Sequence, residues 1–103
     1  MATVATTATG LLPAANATVA CATAGYEKIG IRLSGTFTGT VTFQGSVDGV
    51  TWDTLTVSTL AGTGVTTATA AGQWTGACAG LTSERCAMTS YTSGTCDVYL
   101  TAI

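Results

Sequence analysis

Gly35-Thr-Phe-Thr-Gly-Thr-Val-Thr-Phe-Gln-Gly-Ser-Val-Asp-Gly-Val-Thr-Trp-Asp-Thr-Leu-Thr-Val57 is the stretch whose reading decides the fold. Between positions 36 and 47, Thr36, Thr38, Thr40, Thr42, Gln44 and Ser46 alternate with Phe37, Gly39, Val41, Phe43, Gly45 and Val47. That is the period of a half-buried strand, and Asp48-Gly49 supplies a hairpin turn. A two-residue turn would set Phe43 against Thr54 and Val41 against Thr56, mixing core and polar residues on one face. A longer loop or a bulge instead pairs Phe43 with Leu55 and Val41 with Val57, and this is the expected register. It leaves Trp52 beside Ser46, away from Phe43 unless the bulge turns the indole; burial of Trp52 in a second core layer is the preferred reading.

Outward from the hairpin, Glu27 to Ser34 alternates with Ile29, Ile31 and Leu33 on one side, and residues 17–23 form a strand with Val19 and Cys21 on one face. Residues 2–9 alternate weakly and Gly10 to Asn16 breaks the pattern, so residues 1–16 are read as an extended arm or edge strand and 17–103 as a single domain. After the hairpin come short strands at Val65–Ala70, Gln73–Cys78, Glu84–Tyr91 and Cys96–Ile103. The last places Val98 and Leu100 inward, and Leu81 plugs one end of the core. About eight short strands with a turn every eight to twelve residues indicate an all-β, antiparallel two-sheet β-sandwich, jelly-roll-like or immunoglobulin-like.

Composition narrows the function. The chain has 103 residues, room for one core. Charged residues make up 8%, with a net charge of −2, too little basic surface to grip a phosphate backbone, so no nucleic-acid binding is expected. No window approaches the ~20 apolar residues of a membrane helix. The first ten residues lack a basic n-region and a continuous apolar segment, so synthesis in a cytoplasm without a signal peptide is expected. Faces covered in threonine give little like-charge repulsion between copies, which suits a protein that sits against neighbours.

Histidine is absent, which removes the usual acid–base and triad arrangements. No serine sits in a nucleophile elbow, and Arg85 beside Glu84 reads as a local surface pair. No enzyme activity and no cofactor are expected. Asp48 and Asp53 flank the turn, but two carboxylates fall short of the six to eight oxygens calcium takes, so no metal is expected. The segment Ser46 to Trp52 approaches the Asp-box turn of sialidases, one residue short between Asp48 and Gly49, and such a turn marks a fold and no activity. Trp52, Trp74 and Tyr91 are candidate contact residues. With Tyr26 and Tyr99 they could line a sugar-binding face, although aromatic rings of small β domains more often fill the core.

Cys21, Cys78, Cys86 and Cys96 form no Cys-x-x-Cys pair, which disfavours zinc. Buried free thiols are the leading reading; a Cys86–Cys96 disulfide across one hairpin is the alternative.

The run Gly-Thr-Phe-Thr-Gly-Thr-Val-Thr-Phe-Gln-Gly-Ser-x-Asp-Gly-x-Thr-Trp, followed by Ala71-Gly-Gln-Trp74, Ala79-Gly-Leu81, Arg85 and Tyr91-Thr-Ser-Gly-Thr95, resembles small β-sandwich virion proteins of tailed bacteriophages. These include head-decoration (cement) proteins and modules of fibres and tails. The similarity spans roughly residues 25–103; the four cysteines and the Arg85-Cys-Ala-Met88 segment depart from it. The resemblance implies a structural protein on the outer surface of the virion head, bound to the major capsid protein and self-associated as a trimer or other symmetric oligomer. The alternatives are a fibre or tail adhesion module for host-surface carbohydrate, or a subunit of an extracellular β-protein filament. If the thiols are free, alkylation of the unreduced, denatured chain adds four labels by mass spectrometry; a disulfide would cap the number at two.

Overall fold

The computed structural model describes residues 5–103, and their period-two burial builds two antiparallel sheets around one core. In chain order the strands are β1 (Thr6–Leu12), β2 (Thr18–Ala22), β3 (Lys28–Ser34), β4 (Phe37–Ser46), β5 (Asp53–Thr54) and β6 (Val57–Thr59). Then follow β7 (Gly64–Val65), β8 (Thr67–Ala68), β9 (Gly72–Ala77), β10 (Ser83–Gly94) and β11 (Cys96–Ala102). One sheet runs β1-β11-β3-β9-β6-β7 and the other β2-β10-β4-β5, with β8 also paired to β4. This is the expected all-β, two-sheet sandwich. The chain changes sheet at most of its connections, so nearly every strand finds its partners far away in sequence.

The inward rows read as the alternation demands: Ile29, Ile31 and Leu33 on β3, Val41 and Phe43 on β4, Val98 and Leu100 on β11, Val19 and Cys21 on β2. The Phe43 ring lies 5.3 Å from that of Trp74, tilted by 50°, so one aromatic contact spans the two sheets. Such a pair adds to area burial rather than replacing it.

The hairpin keeps the longer register. Gln44 stands opposite Thr54 and Gly45 opposite Asp53, and the Leu55 amide donates to the Phe43 carbonyl. The expected Val41–Val57 pair does not form. Beyond Thr54 the chain crosses to the other sheet, where Val57 pairs with Val65, while Val41 takes Ala68 of β8. The apolar alternation persists across the crossing because both sheets face the same core, and sequence period cannot distinguish the two cases. For the same reason the stretch read as one strand at Val65–Ala70 is two, β7 and β8, in different sheets. Val47, counted with the inward row, is 69% exposed, since β4 ends at Ser46.

Gly10, read as a break, lies within β1, which pairs with the whole of β11 from Thr6↔Ala102 to Leu12↔Cys96. A Cβ at Gly10 would meet Val19 Cγ2 at 2.7 Å, so the glycine lets the edge strand close over β2. The first four residues of the arm lie outside the described residues. Thr92 to Gly94, left between the expected strands Glu84–Tyr91 and Cys96–Ile103, are also strand. β10 runs on to Gly94, whose φ of 86° turns the chain within one residue into β11 of the other sheet. Consequently Cys86 and Cys96 do not share a hairpin; they sit in opposite sheets, and all four cysteines are free and buried.

β4 and β10 pair over their whole length, from Ser83↔Ser46 to Gly94↔Phe37, with register shifts at Met88/Ser90 and Tyr91/Ser93. At the first shift the Ser90 carbonyl presses onto Gly39, where any Cβ would collide with it. Phe43→Ala should lower the unfolding free energy by about 3–5 kcal/mol, measured by denaturant titration; an unchanged midpoint would remove Phe43 from the centre of the core.

Candidate functional site

Parity along β10 decides what this protein shows to its surroundings. Phe43 is inward and stands opposite Cys86, so Cys86, Glu84 and Met88 face the core and Arg85 and Thr89 face out. Glu84 and Arg85 therefore form no surface pair, contrary to expectation. Arg85 lies on the outer face of the five-stranded sheet, where its Nε donates to Gln44 Oε1 at 2.7 Å. The guanidinium carbon sits 4.2 Å from the centre of the Trp52 ring. Trp52 is thus half-buried beneath Arg85 on the outer face and not in a core layer.

The loop that delivers Trp52 is built on one side chain. Asp48 Oδ1 accepts from the Val50 and Thr51 amides, each at 2.8 Å, and from the Ser46 hydroxyl at 3.0 Å. The Gly49 amide donates to Ser46 Oγ at 2.8 Å, with Gly49 at φ 79°. The Thr51 amide first, then that of Val50 and the Ser46 hydroxyl, hold the Asp48 carboxyl down at about 2. Its contribution is present above the ordinary value of 3.8 and is lost as pH falls through about 2.

Beside Arg85 a shallow cavity of about 400 Å³ opens, lined by Asn16, Thr18, Gln44, Ala87 and Thr89. Buried Ala87 lies among these lining residues. The other rings do not join this patch. Trp74, a candidate contact residue, is 8% exposed and packed at a tilt against Phe43, and Tyr91 is half-buried with its hydroxyl donating to the Gly94 carbonyl at 2.9 Å. Tyr26 shares a 2.7 Å hydrogen bond with Thr6. Tyr99, 43% exposed, lies on the six-stranded sheet near Arg32 and Leu60. No common sugar-binding face is assembled from the five. The missed partner is Gln44, which reads in sequence as one more polar position of an alternating strand.

Chemistry is sparse elsewhere. Among the described residues no group of three or more Cys, Asp or Glu could hold a metal ion. Among the described residues, too, no helix is long and apolar enough to cross a membrane. Glu84 is the unusual group: 2% exposed, with neither carboxylate oxygen hydrogen-bonded. Burial pushes its carboxyl up to about 7. Its field, after burial itself, raises the thiols of Cys21, Cys78 and Cys86. These thiols are buried and protonated, so none is a ready nucleophile.

A small antiparallel β-sandwich with an arginine-capped tryptophan on an otherwise threonine-rich sheet face is what fold and site define. The crystal structure of the SPBc2 prophage-derived protein YomS has the same fold: the TM-score is 0.77 at 12% identity, over 100% of this chain and 98% of that one. No family model matches the chain, and no curated protein sequence does.

Between about pH 4.5 and 7 the folded chain holds a proton on Glu84 that the unfolded chain releases. Stability therefore falls as pH rises through that window and then levels. A melting-temperature series should show this slope, and Glu84→Gln should flatten it; an equal slope in both proteins would assign the effect to another group.

Proposed function

We propose that this chain is a non-enzymatic structural virion protein of a tailed phage. It decorates the outer surface of the head, contacting the major capsid protein and assembling as a trimer or other symmetric oligomer. The observation that carries this reading is the full-length fold correspondence with a prophage-derived protein. It is supported by an outer face of β2, β4, β8 and β10 that carries threonine where most soluble domains carry Lys and Glu. Little charge must be desolvated when such a face meets a neighbour, so close contact costs little electrostatically.

A carbohydrate-binding fibre module would need open aromatic ring faces. Here Trp74 is in the core and Arg85 covers a face of Trp52, which favours the decoration reading.

Cryo-EM maps of heads with and without this protein provide the test. Stoichiometric density on the outer shell, with host-cell binding unchanged on its removal, is the expected outcome. Density at the tail tip, or cell binding by the isolated domain, would replace this reading with the adhesin.

A further inference from the structure

Arg85 is held in place yet has unused hydrogen-bonding capacity. Its Nε is bound to Gln44 and its plane lies over Trp52, so the side chain has paid its ordering cost before any partner arrives. None of the described carboxylates pairs with it. Glu84, its neighbour, faces the core; Asp53, two strands away on β5, stands opposite Gly45 and lines a separate depression with Leu81 and Asp48. β2, β4 and β8 carry no charged residue, so Arg85 is the lone charge borne by the outer face of β2, β4, β8 and β10. Hydroxyl and amide groups of Thr18, Thr89 and Asn16 line the depression beside it.

We propose that Arg85, positioned by Gln44 and Trp52, is a docking site for an acidic side chain, Asp or Glu, of a partner protein. The carboxylate would accept two N–H bonds from the terminal nitrogens of the guanidinium while the flat threonine and alanine face around it closes against the partner. A planar fork matches a carboxylate where a lysine would offer a point charge. A protein carboxylate fits better than a sugar acid because Arg85 already occupies one face of Trp52 and Trp74 lies in the core, which leaves a sugar ring little aromatic surface to stack on. The identity of the partner as a head-shell subunit rests on the decoration reading above; the carboxylate specificity does not.

Two experiments separate these. In the first, the full chain is titrated with N-acetylglutamate, with N-acetylneuraminic acid, and with sodium chloride at matched ionic strength, following the Arg85 guanidinium resonances and Trp52 fluorescence. N-acetylglutamate should produce a saturable shift in the millimolar range that Arg85→Gln abolishes while the variant keeps the wild-type fold by circular dichroism. No saturable shift, or one produced by the sugar acid alone, overturns the proposal.

In the second, wild type, Arg85→Gln and Arg85→Lys are bound to head shells that lack the protein. Arg85→Gln should weaken binding by roughly tenfold or more, and lysine should not restore it. Equal binding of wild type and Arg85→Gln overturns the docking role while leaving the decoration reading intact. Failure of the wild type itself to bind shells rejects the decoration reading, and the titration then judges the site alone.

Discussion

The ladder between β4 and β10 is the constraint from which the rest of the molecule follows. By fixing Phe43 opposite Cys86, it settles which side of the twelve-residue strand β10 is wet. A slip of one residue would exchange the two faces, driving Arg85 into the core and exposing Met88. The same ladder carries Phe43 to Trp74 across the sandwich, so the aromatic contact that bridges the two sheets and the orientation of the surface arginine are two results of one register.

That register has a cost at Glu84. An inward carboxyl without a hydrogen-bond partner opposes folding even when neutral and far more when charged, and the thiols that feel its charge, Cys21, Cys78 and Cys86, offer no compensating positive group. The protein therefore carries its acid as an uncharged core residue at mildly acidic pH. Strain of this kind is tolerable because the sheets on either side are anchored by well-buried aliphatic rows. It also explains why the sequence pair Glu84-Arg85, read as a surface ion pair, is nothing of the sort: adjacent residues in a strand point to opposite faces.

Much of the fold was legible in the residues because the alternation of β3, β4 and β11 is unbroken and because the Phe43–Leu55 pairing could be argued from the two faces. What was hidden has a common cause. When a strand leaves one sheet for the other, as at Val57 and again between β7 and β8, the inward row continues without a mark in the sequence. The edge strand through Gly10 was missed because glycine was read as punctuation, whereas here it serves the close approach of Val19. At the candidate site, Trp52 was placed beside Ser46 from the register alone. Its cover by Arg85 depended on a partner strand that is thirty-odd residues away and could not be read locally.

The edge pair β1 and β11 sets how the domain responds to load. These strands run antiparallel, with Thr6 opposite Ala102, so the two ends of the described chain leave from the same corner. Tension applied between them would open the pair rung by rung from that corner, loading one pair of hydrogen bonds at a time instead of shearing the whole ladder. Force that arrives over the broad faces is instead shared among many strands. The architecture thus resists compression across its faces better than it resists being drawn out by its ends.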